Sequence, residues 1–482
     1  MGRDFPFIWF VVAFTLYTIV LFLISHFTSR NAGKNSFFGA ERKAPWPIVA
    51  YGMVGASISG VTFISVPGNV WVQNFFYMPL VFGFVVGYII IAKVLLPLYY
   101  KMNLTSIYTY LGERFGQKSY KTGTTVFMVS RLLGAAVRVF VVIVVFFSFL
   151  PKQLQSGGVL TFALVSLIFL VLLYLYTYRG GVKTIIWTDA LQTTFMLVAV
   201  GLTIYYICKD MNWGAAEMVR EISSSDYVKM FDWDWSHGTN AIKQFISGIF
   251  VTIAMTGLDQ AMMQKNLACK DIKAAQKNMY TTSIIIVVVN FFFLLLGALL
   301  CIFVAKHGGL EAMGISKTDE IFPTIASRYF GVGLGIVFLI GLISASYPSA
   351  GAALTSLTTS FCVDFLHDTD EKKRKRVHAL MSLVFFVLLI VLFILSNDAV
   401  VNLVYKLASY TYGPLLGFFF FGILTRRQIR DGAAPYIAIA SPLICLLANL
   451  LLKHFFGFDL GFSLLILNGA LSFAGLWAVS RK

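Results

Sequence analysis

Apolar residues in this chain come in long unbroken runs, not in alternation with polar ones. Thirteen runs are read: 6–27, 47–71, 79–100, 121–150, 158–177, 182–208, 240–264, 277–306, 332–364, 378–396, 400–425, 432–453 and 459–480. Each is long enough for a helix to cross a bilayer, which takes ~20 apolar residues. Barrel strands are shorter and alternate, so they are excluded. The pattern predicts an all-α integral membrane protein of about 13 transmembrane helices. The first run has Asp4 beside Arg3 ahead of it and no small-x-small cleavage site, so it is expected to be a retained span. No soluble domain is expected within 1–482; the longest polar connections are about 209–239 and 307–331.

Two of the runs are interrupted. Span 2 contains GASISGVTFISVPG, residues 55–68, and span 7 contains SGIFVTIAMTGLDQ, residues 247–260. Glycine and serine hold a helix poorly, and Pro67 is expected to force a local break. A break at membrane depth frees backbone N–H and C=O groups. That is tolerable only where they face protein, water or a ligand. The bland reading is that both are small-residue packing faces. Their matching places favour a transport site instead. Spans 2 to 6 and 7 to 11 make two sets of five, and an odd number of spans inverts the second set. The expected plan is an N-terminal extra helix and loop over 1–46, repeat one over 47–208, repeat two over 240–425, and two C-terminal helices over 432–482.

Composition agrees: 58% of the residues are hydrophobic, 12% are charged, and the mean hydropathy is +0.79. The net charge of +16 could suggest nucleic acid. Its distribution does not. With the N-terminus outside, 24 Lys and Arg fall on the cytoplasmic side and 9 on the other, with 5 inside spans. This bias orients the chain with the N-terminus out and the C-terminus in the cytoplasm. The KKRKR run at 372–376 then reads as a loop at an anionic membrane surface. The lipid bilayer is an expected partner and nucleic acid is not; the expected location is a plasma membrane, bacterial inner membrane by default. Five cysteines show no metal-ligand spacing, and no HExxH or GxSxG is present, so no enzyme is expected.

Six segments resemble, in order, the sodium:solute symporter family, whose fold is LeuT-like. They are SISGVTFISVPG in span 2, TSIYTYLGERFG at 105–116, GGVKTIIWTDALQ at 180–192, DQAMMQKNLACKDIKAAQKN at 259–278, DEIFP at 319–323 and SASYPSAGAALTSLTTSFCVDF at 344–365. The resemblance implies a secondary symporter driving solute inward with Na⁺, built as five plus five inverted helices with one before and two after. It implies sodium ligands at the carbonyls of Gly55, Ile58 and Ala345 and the hydroxyl of Ser349. The family's other adjacent hydroxyl falls at Pro348, which has none, and the serines of a second sodium site fall at Gly351 and Ala352. Asp189 matches the carboxylate of that second cation site. Ser346 or water are the substitutes available. Asp189 and Asp259 would be the carriers of a proton-linked version.

Ser57, Ser59, Thr62 and Phe63 are expected to line the solute cavity, with Asp259 and Gln260 at the second break. Arg131 and Arg138, seven residues apart, share a helix face. An intramembrane arginine needs an anion, either Asp189 or Asp259 as a permanent partner or a substrate carboxylate. Members of the family that carry sialic acid place an arginine on this helix, and Arg138 matches it in depth. Tyr405, Tyr410 and Tyr412 either line the cavity or sit at an interface. The expected function is sodium symport of a small organic anion, such as sialic acid or a carboxylate. The alternatives are a sodium- or proton-coupled neutral solute (amino acid or sugar derivative) and, in another class, a channel. A monomer is expected to suffice, since one chain builds the site.

Overall fold

A computed structural model describes residues 6–29, 36–39, 42–178, 181–395, 398–456 and 460–481, with the helix over 398–409 given by its backbone alone. Nearly all of it is helical. In chain order the membrane helices are α1 (Phe7–Ser29), the pair α2 (Trp46–Ser57) and α3 (Gly60–Gln73), α4 (Met78–Lys101) and α5 (Gln117–Ser148). Then come α6 (Gly158–Thr177), α7 (Val182–Asp210), the pair α8 (Ala241–Gly257) and α9 (Gln260–Asn266), and α10 (Ile272–Lys306). The series ends with α11 (Gly331–Leu366), α12 (Glu371–Ile394), α13 (Asp398–Leu424), α14 (Ala434–Phe456) and α15 (Leu464–Ala478).

Ten of these helices are long and apolar enough to cross a membrane, and twelve spans result when each bent pair counts as one. The eleventh of the thirteen runs expected from the sequence, 400–425, is the one outside these twelve: it falls on α13, whose apolar part with described side chains is Tyr410–Leu424. Polar caps start several spans: the Asn240 side chain accepts from the amides of Ile242 and Lys243, and Asp271 accepts from Ala274. A two-residue ribbon, Gln428–Ile429 against Ser480–Arg481, ties the loop after α13 to the C-terminal end, so both lie on one side.

Where spans cross closely, glycine makes it possible. A Cβ on Gly248 of α8 would stand 2.1 Å from the Leu80 carbonyl oxygen of α4, and one on Gly83 would stand 2.1 Å from that of Phe245. Lipid gives no hydrophobic drive between helices, so such backbone-to-backbone packing carries the association. Apolar side chains such as Leu160, Ile168, Leu443 and Leu447 are exposed on the outer faces, as a lipid-solvated surface requires.

Candidate functional site

The two interrupted spans are broken, and the breaks are bends: α2 meets α3 at 61° and α8 meets α9 at 72°. The first break lies at Ile58 and Ser59, both in extended conformation. The expectation that Pro67 breaks this span is corrected. Pro67 sits inside α3, eight residues beyond Ser59. The break comes instead from serine side chains competing with the backbone ladder. Ser59 caps α3, its Oγ accepting from the Thr62 amide at 3.4 Å, while Ser57 Oγ turns back to the Met53 carbonyl at 2.8 Å.

The Ile58 amide closes on the Val54 carbonyl at 2.9 Å, and among the described residues no further backbone amide reaches the carbonyls of Gly55 to Ile58. Those oxygens carry the negative end of the α2 dipole. Glycine lets two neighbours close on this spot. A Cβ on Gly55 would lie 2.3 Å from Thr193 Oγ1 of α7, and one on Gly60 would lie 2.7 Å from Ser346 Oγ of α11. The first break is thus walled by α7 and α11. On α11, Ala345 and Ser349 are buried and the Ser349 hydroxyl has no hydrogen-bond partner among the described residues. Ser346 Oγ is spent on the Leu342 carbonyl at 2.5 Å. Carbonyl oxygens with a spare hydroxyl form a donor set suited to a hard monovalent cation. The residues present fit sodium, with Ser349 as the remaining side-chain oxygen beside Pro348.

The second break is chemically different. A π-turn over Ile253–Gly257 ends α8, and Asp259 caps α9, accepting from the Met262 amide at 3.2 Å. The same carboxylate accepts from Tyr412 Oη at 2.6 Å and faces Arg131 Nη1 at 3.5 Å. The arginine–aspartate pairing weighed from the sequence therefore falls on Arg131. The guanidinium keeps Nε and Nη2 without hydrogen-bond partners among the described residues although the residue is buried. Arg138, two turns on, is half-buried and has no ion pair or hydrogen bond among the described residues.

The expected cavity residues are not all free. Gln260 is committed to the loop before α5: its Oε1 accepts from the Ile107 amide at 3.0 Å and its Nε2 donates to the Thr105 carbonyl at 2.7 Å. Phe63 is fully buried among Phe293, Phe322 and Phe338, with ring centroids 5.1 to 5.9 Å away, so it packs instead of facing open space. Ser59 is buried, and Ser57 and Thr62 are half-buried. Tyr410 and Tyr412 are both buried, so neither is an interfacial aromatic, whereas Tyr405 lies outside the described side chains.

Asp189 is fully buried, and its partner was missed in the sequence: Lys265, the sixth residue of α9, places its ammonium on Oδ2. Hydropathy cut span 7 at residue 264 and left Lys265 in a loop. The signal available was a lone intramembrane carboxylate in search of a cation. A second group also escaped. Asp364, near the end of α11, accepts from Ser106 Oγ at 2.9 Å, Tyr120 Oη at 2.8 Å and Thr124 Oγ1 at 3.3 Å.

Comparison with known proteins gives the same picture. The sodium/sialic acid symporter SiaT of Proteus mirabilis is 22% identical over 98% of this chain and 94% of its own. NanT of Aliivibrio fischeri, also a sodium/sialic acid symporter, is 22% identical over 85% of this chain and 81% of its own. The human sodium-coupled monocarboxylate transporter 1 is 23% identical over 84% of this chain and 66% of its own. Among solved structures, a substrate-bound, outward-open Na⁺-coupled sialic acid symporter superposes with a TM-score of 0.82 at 19% identity, covering 99% of this chain and all of that one. The sequence profile of one family matches residues 37–438. With that profile running across both broken spans, this chain belongs to the sodium:solute symporter family, as a sodium-coupled membrane transporter and not an enzyme.

Proposed function

We propose that this symporter moves a small organic anion, a sialic acid or a short carboxylate, inward with sodium. The observation that carries the reading is Arg138: a half-buried arginine in the middle of a membrane helix with no counter-charge among the described residues. Such a residue costs about 2.5–3.5 kcal/mol near the bilayer centre on insertion scales. A substrate carboxylate met by its planar fork would offset that cost. Arg131 is not equivalent, because Asp259 already neutralises it. Relatives that carry sialic acid or monocarboxylates support an anionic substrate class.

In this reading sodium sits at the first break, on the carbonyls of Gly55, Ile58 and Ala345 and the hydroxyl of Ser349. The solute lies beside it, against Ser57, Ser59, Thr62 and Arg138. Residues 47–208 and 240–425 act as inverted repeats that rock about these breaks. A single chain in a bacterial inner membrane, N-terminus out and C-terminus in, is the working unit. A neutral solute is the second reading, and Arg138→Ala separates the two.

The test is uptake of labelled sialic acid into proteoliposomes under an inward Na⁺ gradient, against K⁺ and proton gradients. Sodium-driven uptake that Arg138→Ala abolishes supports the proposal. Equal anion binding in wild type and Arg138→Ala would sink it.

A further inference from the structure

We infer that each monovalent anion is carried with one sodium ion and no net charge, because Lys265 serves Asp189 as a tethered cation in place of a second free one. The inference rests on the anion reading above and adds the stoichiometry.

A buried carboxylate must be neutralised by something. For Asp189 that partner is built into the chain. The Lys265 ammonium lies on Oδ2, with both side chains buried. Lys265 belongs to α9, just past the second break, and Asp189 belongs to α7, whose backbone packs on Gly55 at the first break. The tethered charge therefore stands between the two broken spans, where a mobile cation would otherwise be needed.

The α11 residues around Ser349 give a second ion few side-chain oxygens. Pro348, Gly351 and Ala352 have no side-chain oxygen. The space over Gly351 is taken: a Cβ there would meet Tyr176 Oη at 2.6 Å, and that hydroxyl leans on the Tyr347 carbonyl at 3.4 Å.

The other carboxylate at the breaks is closed as well. Asp259 is held by Arg131 and by Tyr412. Asp364 lies in the last turn of α11 and is saturated by three hydroxyls. Among the described residues, the free carbonyls and the Ser349 hydroxyl at the first break are then the place for a cation, and Arg138, without a counter-charge, is the place for an anion. One Na⁺ on the first and one monovalent anion on the second sum to zero, so the membrane potential does no work on the loaded carrier.

The experiment uses the full chain in proteoliposomes under a fixed inward Na⁺ gradient, with labelled sialic acid as probe and the potential set by K⁺ and valinomycin. The expected result is accumulation that does not change when an inside-negative potential is imposed, and a Hill coefficient for Na⁺ of about 1. One net charge moved per cycle would instead raise the accumulation limit about tenfold for a tenfold K⁺ gradient. That outcome overturns the inference while leaving sodium-driven anion uptake intact. No uptake under any gradient removes the anion reading and the inference with it.

Lys265→Gln sharpens the test. With the ammonium gone, Asp189 must draw its counter-charge from solution, as a proton or a cation lodged where the ammonium stood, so the residual uptake should carry one more positive charge per cycle and become potential-sensitive. Lys265→Arg keeps the charge and should stay potential-insensitive. Potential-insensitive uptake in Lys265→Gln would show that Lys265 does not stand in for a cation. Should Lys265→Gln fail to fold, the wild-type potential measurement still decides the stoichiometry.

Discussion

The two broken spans start from similar sequence and end as opposite chemistry. At α2/α3 the groups freed by the break are neutral: among the described residues, carbonyls of Gly55 to Ile58 that no backbone amide reaches and, on the neighbouring α11, the unpartnered Ser349 hydroxyl. At α8/α9 the freed positions are charged and already matched. Asp259 meets Arg131 and Tyr412, Lys265 meets Asp189, and Gln260 is sewn to the loop at 105–107. A broken helix is therefore not by itself a binding site. One break keeps its polar groups uncommitted; the other is closed by the chain's own ions.

If that contrast is right, the largest damage comes from the closed break. Asp259→Ala should leave the Arg131 guanidinium buried with no counter-charge. Breaking a buried pair in this way costs about 3–5 kcal/mol. The expected outcome is a large drop in thermal stability in detergent and little folded protein in the membrane. Tyr412→Phe removes one hydrogen bond to the same carboxylate and should cost about 1.5–3 kcal/mol. Stability of Asp259→Ala equal to wild type would erase the distinction between the two breaks.

Steric changes at the open break should come next. Gly60→Ala places a Cβ 2.5 Å from Val142 Cγ2 and 2.7 Å from Ser346 Oγ, so α3 must move off α5 or α11. Overpacking of this kind costs about 1–3 kcal/mol. Sodium-driven uptake should fall more than stability does, because the shift displaces the carbonyl cage. Loss of stability with sodium affinity unchanged would place the cage elsewhere.

The first break was legible as a position and misread as a cause. Its serines and glycines announced that the apolar run would not hold one helix, but Pro67 drew attention away from Ile58 and Ser59. Proline tolerates a helix whose freed carbonyl and altered packing are absorbed by neighbours, and in a membrane bundle they are. The Arg131 partner was also legible, since an intramembrane charge must find its opposite. Lys265 was legible only through the need of Asp189 for a cation, because hydropathy scores a lysine as a span end even where tertiary packing buries it. The covering of Gly351 by Tyr176 was not legible, being a contact between residues 175 positions apart that no local pattern encodes. Phe63 was expected as an apolar wall of the cavity because it lies beside the break. Helix rotation decides otherwise and turns it into the aromatic cluster.

The smallest effects separate ligand from scaffold within the open break itself. Ser349→Ala removes a buried hydroxyl that has no hydrogen-bond partner among the described residues, so nothing is left unsatisfied and stability should change by less than about 1 kcal/mol. Yet if that oxygen coordinates sodium, the Na⁺ concentration for half-maximal uptake should rise about tenfold, a loss near 1.4 kcal/mol. Ser59→Ala inverts the signature: the cap on the Thr62 amide is lost, about 1 kcal/mol of stability goes with it, and sodium dependence shifts little. Pro348→Ser then works in the opposite sense to Ser349→Ala, adding an oxygen beside the cage and lowering the sodium requirement. A transporter in which Ser349→Ala leaves sodium dependence untouched would have its ion away from α11, and the neutral face of the first break would then serve the solute alone.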